Sequence, residues 1–365
     1  MKIECLLEKI NTPLQVLSRS TSRLSTLPSL QGIYLEAKGG KLLCTATNLD
    51  IGVRFTIPVK VEIEGSVLVQ GDLLAKVVQN IQPSEKNIIF ELVGDILSIT
   101  TDKSKVTLKT LAQEDFPPLP KIEGTSIDIQ KSIFLIGLKS VAFATATTEI
   151  KPEIASVYIY GEPGQLVFVA TDSFRLAEKK IKVKNSESFK ILLPNKNTQE
   201  IIKLCETLGD NLRITYSGTM ITIEDEAIYI TARTVDGLFP DYQRIIPKEV
   251  LIETKVLKQD LQNILKLSTL FSDTFNQLTL DIKEQDKKIL CTTKNQNLGS
   301  VEQTISASVT GGDIVMNFNY KYFQEVLTVL DKESVVLSFT TNNKAVVLRQ
   351  NNDDSFLYLI MPLNR

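Results

Sequence analysis

Gly40-Lys-Leu-Leu-Cys-Thr-Ala-Thr-Asn48 returns as Gly164-Gln-Leu-Val-Phe-Val-Ala-Thr-Asp172, and again as Lys287-Lys-Ile-Leu-Cys-Thr-Thr-Lys-Asn295. The closing residues Asn48, Asp172 and Asn295 are 124 and 123 residues apart. Each segment reads as an apolar strand ending in a short polar side chain suited to a turn. A second anchor follows each one: Val67-Leu-Val-Gln-Gly71, Ile191-Leu-Leu-Pro-Asn195 and Ile314-Val-Met-Asn317. These short strands run into apolar stripes at i, i+3, i+4, i+7, namely Leu74, Val77, Val78, Ile81; Ile201, Leu204, Cys205, Leu208; and Phe323, Val326, Leu327, Leu330. Such stripes predict one amphipathic helix per copy. Phe116-Pro117 and Phe239-Pro240, 123 residues apart, mark two boundaries. A third of the 365 residues is about 122, so the chain reads as three copies of one unit, over 1–122, 123–249 and 250–365.

Each copy opens with a further strand and helix. In the first copy the strand is Lys2–Glu4 and the helix carries Ile10, Leu14 and Leu17, with Pro13 inside the pattern. Helices over 131–147 and 257–268 fill the same place in copies two and three. Strands follow around Ile33–Ala37, Leu42–Ala46, Val53–Val59, Ile88–Leu92, Leu97–Thr100 and Val106–Thr110. The fold class is therefore α+β, with two helices packed on antiparallel sheets in each copy.

Composition excludes several kinds of chemistry. Hydrophobic residues make up 43% and charged residues 23%, as in an ordinary folded chain. Histidine is absent, which removes Ser-His-Asp and Cys-His nucleophile pairs and histidine metal ligands. The four cysteines, Cys5, Cys44, Cys205 and Cys291, form no CxxC pair and read as buried thiols of a reducing cytoplasm. There is no GxxxxGK[ST] and no GxGxxG after a strand. Gly161-Glu-Pro-Gly164 and Gly311-Gly312-Asp313 read as turns. Asp225, Glu226, Asp353 and Asp354 lack a partner at acid/base or metal spacing. We expect no catalytic residues, no metal and no cofactor. The N-terminus shows no leader pattern and no apolar run reaches membrane length, so the expected location is the cytoplasm.

Charge is segregated. The net charge is −2. Helical windows at 9–35, 72–82, 130–148, 195–204, 256–271 and 320–330 hold eleven lysines and arginines against four carboxylates, a surplus of seven that leaves −9 elsewhere. Windows 9–35 and 130–148 contain no carboxylate at all. Solvated helices usually mix signs. A common positive face of lysines, with no interleaved aromatics for base stacking, suits phosphate contact without base readout.

Three segments carry a resemblance: Ala170-Thr-Asp-Ser-Phe-Arg-Leu-Ala177, Asp236-Gly-Leu-Phe-Pro-Asp-Tyr-Gln-Arg-Ile-Ile-Pro247, and Tyr358-Leu-Ile-Met-Pro-Leu363. They are similar to the signature blocks of the bacterial replicative sliding clamps, the beta subunits of DNA polymerase III. The resemblance implies three tandem DNA-clamp domains per chain. It implies a head-to-tail homodimer closed into a ring of six similar domains, with duplex DNA threaded through it. It implies a processivity factor rather than an enzyme, tethering the polymerase catalytic subunit and served by a clamp loader. Other polymerases and repair proteins would bind through short linear motifs.

Matched to this chain, the family's peptide cleft comprises Thr171, Arg175, Leu176, Pro240, Arg244, Ile245, Leu359, Ile360, Met361, Pro362 and Leu363, with looser matches at Ile154, Phe275, Asn319 and Tyr322. Ser173-Phe174 stands where the family often has Gly-His, so Phe174 is expected to reshape one pocket. The DNA-facing set is Arg19, Arg23, Lys76, Lys139, Lys196, Lys203, Lys258, Lys266 and Lys321. The ring interface would bring Val106 and Leu108 of one protomer against Leu270 and Phe271 of the other. Five successive apolar residues at a chain end are otherwise a liability, and an apolar groove with two arginines suits a short peptide. The remaining readings are an enzyme of unknown chemistry and a repeated-domain interaction scaffold that does not encircle DNA.

Overall fold

A computed structural model of the chain describes residues 1–22, 27–82, 84–183, 188–340 and 344–363. Among these, six α-helices are present: α1 (Leu7–Ser20), α2 (Gly71–Gln79), α3 (Lys131–Val141), α4 (Asn195–Cys205), α5 (Lys258–Ser268) and α6 (Tyr320–Val329). The first helix of each copy follows a strand directly and shares one anchor. The backbone N–H of Leu7, Lys131 and Lys258 donates to the carbonyls of Lys86, Asp210 and Glu333 at 2.9, 2.8 and 2.8 Å. α1 runs straight through Pro13 and buries Ile10, Leu14 and Leu17, whose stripe outweighs the one N–H that proline removes. α3 stops at Val141, earlier than the apolar pattern suggests, and tightens into a 3-10 turn over Ala142–Ala144.

The repeat is visible in hydrogen bonds as well as in sequence. Asn48 Oδ1 accepts from the N–H of Asp50 and Ile51, Asp172 Oδ1 from Phe174 and Arg175, and Asn295 Oδ1 from Asn297 and Leu298, at 2.8 to 3.2 Å. The same side-chain-capped turn thus closes the same hairpin three times. Tyr34 stacks on Phe116 with ring centroids 5.2 Å apart, and Tyr158 stacks on Phe239 at 4.9 Å. The two Phe-Pro boundaries are held by one device.

Contacts divide the chain into two compact units, Met1–Ser132 with Glu200–Thr234, and Ile133–Gln199 with Val235–Arg365. The middle copy therefore contributes to both. The first unit holds a continuous sheet of thirteen strands in which Ile228–Arg233 of the middle copy pairs antiparallel with Ile51–Pro58 of the first. The second holds a nine-stranded sheet in which Arg175–Lys182 pairs with the C-terminal strand Asp353–Ile360, and a separate four-stranded sheet. The strand Lys60–Ile63 is mostly exposed, and the sequence reading does not separate its short Lys-Val-Glu-Ile alternation as a strand.

Among the open strand edges of the described residues are Lys105–Lys109 and Gly299–Ser306. Lys105–Leu111 pairs along one side with Ile96–Thr100, while its other side meets only Leu68 and Val69 at its far end. Gly299–Ser306 is one of the two outer strands of the four-stranded sheet. Cys5, Cys44, Cys205 and Cys291 are all buried, and burial pushes the Cys5 and Cys291 thiols up to about 12.

Candidate peptide cleft and basic helix surface

The turn Asp172–Arg175 in the predicted cleft is held by several hydrogen bonds. Thr171 Oγ1 donates to the Arg175 carbonyl at 2.6 Å, and Ser173 sits at φ 78°, the left-handed region that glycine occupies without cost. Asp172 locks it further, because its Oδ1 takes two backbone N–H groups and its Oδ2 takes Arg175 Nε at 3.0 Å. Phe174 is pushed outward and exposed. Its carbonyl accepts the Met361 N–H at 2.8 Å.

Arg175 corrects one expectation. Its side chain is only 8% exposed and is fully engaged. NH1 pairs with Glu325, NH2 donates to the Phe143 carbonyl at 2.9 Å, and the guanidinium lies over Tyr322 at 4.8 Å and Phe143 at 5.7 Å. The predicted peptide-greeting cation is instead an internal clasp joining the turn to α6. Arg244 is the contrasting case: its side chain is 85% exposed, and Nε pairs with Asp241 at 2.6 Å.

The predicted residues fall into two layers. Ile154, Thr171, Leu176, Leu359 and Ile360 are buried, and Leu176 and Leu359 pair across strands in a cluster with Tyr160, Val169, Tyr242 and Val347. Leu359 and Ile360 are core residues of the last strand, buried in the chain as it stands. The accessible layer starts at Met361. It borders a cavity of about 640 Å³ with Arg244, Ile245, Pro247, Leu251, Lys344 and Ala345. Pro362 and Leu363 are partly buried, and the Leu363 N–H donates to the Asn317 carbonyl at 2.8 Å, laying the tail along strand Ile314–Asn319. Pro240 precedes the 3-10 turn Tyr242–Ile245 that carries Arg244.

A buried polar chain holds that turn. Tyr242 Oη donates to Glu178 Oε2 at 2.5 Å and contacts Tyr160 Oη at 2.8 Å. Burial drives the Tyr242 phenol well above its usual range, and the hydrogen bonds to Glu178 and Tyr160 add to that. Asn319 caps α6 through the Lys321 N–H at 3.0 Å. Phe275 is brought elsewhere: it lines a separate cavity of about 760 Å³ with Asp273, Thr279 and Thr292. Sequence reading missed Leu251, Lys344 and Ala345, which lie outside the signature blocks.

The basic set lies on helices as expected, but is smaller. Arg19, Lys76, Lys139, Lys196, Lys203, Lys266 and Lys321 are exposed on α1 to α6. Lys76 pairs with Asp72 at 2.6 Å and Lys203 with Glu200 at 2.8 Å. Lys258 leaves the set: it is half-buried and its Nζ caps the Leu330 carbonyl at 2.5 Å. Arg23 lies outside the described residues. Counted over the observed helices, ten cations face five carboxylates, because Glu8 belongs to α1. At the expected interface Leu270 is 61% exposed, and Phe271 and Val106 are half-buried. Leu108 is 6% exposed, so its side chain belongs to its own domain's core and only the backbone edge beside it is open.

The chain is thus built of repeated α+β copies, with exposed helical lysines and a cavity beside its tail. No group of three or more His, Cys, Asp or Glu placed to hold a metal occurs among the described residues. None of the helices described is long and apolar enough to cross a membrane.

Comparison with known proteins makes this specific. Residues 1–120, 128–241 and 243–364 match the N-terminal, central and C-terminal domains of the DNA polymerase III beta subunit. The beta sliding clamp of Synechococcus elongatus is 25% identical over 379 residues, covering 100% of this chain and 99% of its own. That of Staphylococcus epidermidis is 24% identical over 374 residues, covering 100% and 98%. The Bacillus subtilis clamp superposes with a TM-score of 0.95 at 24% identity, covering 100% of this chain and 99% of its own. The Pseudomonas aeruginosa clamp bound to griselimycin gives 0.95 at 22%, covering 100% of both chains. The chain belongs to the DNA polymerase III beta subunit family. It is a sliding clamp of DNA replication built from three clamp domains, and a scaffold that never meets DNA is not favoured.

Proposed function

We propose that two copies of this chain close head to tail around duplex DNA and hold the replicative polymerase there without binding the DNA tightly. The observation that carries this reading is the pair of open strand edges, Lys105–Lys109 and Gly299–Ser306, one in the first domain and one in the third. Edge-to-edge pairing between protomers would satisfy both, with Leu270 and Phe271 packing beside Val106. The three domains would extend over 1–122, 123–249 and 250–365. The exposed cations of the helices would touch phosphates without reading bases, so the ring slides. Polymerase, clamp loader and repair proteins would dock short motifs in the cavity between Arg244 and Met361. Tethering then acts through effective concentration. The protein would act in the cytoplasm, without catalysis or cofactor.

Loaded by its loader onto closed circular DNA, the protein is expected to stay through gel filtration and to be lost when the circle is cut. Equal retention on cut DNA would sink encirclement. Charge reversal at Arg19, Lys196 and Lys203 together should reduce loading most at low salt, the defect shrinking as salt rises because the variant has the shallower salt dependence. An unchanged salt response would place those side chains away from DNA.

A further inference from the structure

In copies two and three, the lysine that opens the first helix plugs a niche at the end of the second. Lys131 Nζ donates to the Leu208 carbonyl at 2.6 Å, and Lys258 Nζ to the Leu330 carbonyl at 2.5 Å. Backbone register fixes the equivalent position in copy one, since Leu7, Lys131 and Lys258 make the same bond to the residue before the next strand. Copy one therefore has Leu7 where its sisters have an ammonium on an aliphatic stem.

The niche there is left as a cavity of about 590 Å³, lined by Leu6, Leu7, Val78, Ile81, Asn11 and Glu85 among others. Two of its acceptors are orphaned: Glu85 Oε1 and Asn11 Oδ1 are buried and have no hydrogen-bond partner. Glu85 is only 4% exposed, and its other oxygen is taken by the Lys103 N–H at 3.1 Å. Buried acceptors without donors are costly, and apolar walls around a carboxylate match an alkyl stem carrying a cation.

We infer that this cavity is a binding site for an alkylammonium group, taking from outside the lysine-like plug that the sister copies supply themselves. The chemistry is shared by a lysine side chain of another polypeptide and by a free amine. Neither the peptide cleft nor the DNA-facing surface enters the argument.

The test is a titration of the full chain with n-butylammonium, followed by methyl NMR shifts at Leu7, Val78 and Ile81. Saturable shifts are expected, with the neutral isostere 1-butanol at least about tenfold weaker. Glu85→Gln should weaken the ammonium about tenfold and leave the alcohol unchanged. Leu7→Lys should abolish binding and raise the melting temperature. Tighter binding of Nα-acetyl-lysine methylamide than of putrescine assigns the ammonium to a protein side chain, and the reverse order to a free amine. No saturable shift, equal affinity for the alcohol, or unchanged binding by Leu7→Lys would overturn the inference.

Discussion

Arg175→Ala is expected to lower the unfolding free energy by about 3 kcal/mol and to weaken partner-peptide binding at least about tenfold. Truncation strips the cation partner from Glu325 and Asp172 at once, frees the Phe143 carbonyl, and removes the plate over Tyr322. Losing one partner of a buried ion pair costs about 3 to 5 kcal/mol, and the half-open position of Glu325 sets this case at the lower end. Peptide binding suffers indirectly. The turn whose Phe174 carbonyl anchors Met361 is held by Asp172, and Asp172 is held by Arg175. Arg175→Lys keeps the charge but cannot serve three acceptors in one plane, so it should recover less than half of the loss. Urea titration followed by circular dichroism, with a labelled peptide in parallel, reads both effects. A change under about 1 kcal/mol would mean the clasp is replaced by water.

That clasp marks where sequence reading runs out. The fold was legible because a period of 123 to 124 residues repeats strands, capping turns and helical stripes together, and the structure returns each of them. Local chemistry carries such signals: Asn48, Asp172 and Asn295 cap turns within three residues. The site was legible as a set of segments but not as a set of roles. Arg175 and Glu325 are 150 residues apart, and nothing local in either says they meet. Lys258 looks like any helical cation until the Leu330 carbonyl is placed beside it. Leu108 and Leu359 show the same limit for apolar residues, because alternation tells which face a side chain takes but not whether that face is covered. The charge surplus shrank for a simpler reason: the window 9–35 ran beyond Ser20, where α1 ends, and began after Glu8.

Deleting Met361–Arg365 is expected to abolish partner-peptide binding while leaving the protein folded and two chains per particle. The break falls between layers. Leu359 and Ile360 are core residues, pairing with Leu176 and Arg175 on one side and with Val347 and Val346 on the other. They remain in the truncated chain, so the nine-stranded sheet keeps its register. What leaves is Met361, which walls the cavity beside Arg244 and Ile245, together with the two N–H donors that tie the tail to the Phe174 and Asn317 carbonyls. A groove that loses one wall no longer excludes water from an apolar peptide side chain, and the affinity of such short motifs rests on a few well-desolvated anchors. Removing two residues more should behave differently, since Leu359 and Ile360 would each leave a hole costing about 2 to 5 kcal/mol, and soluble protein should fall sharply. Fluorescence polarisation of a labelled polymerase peptide and sedimentation of the 40.7 kDa chain separate the cases. Parent-like polarisation in the shorter deletion would move the docking site off this cavity. A monomer would put the tail, rather than the strand edges at Lys105–Lys109 and Gly299–Ser306, in the contact between protomers.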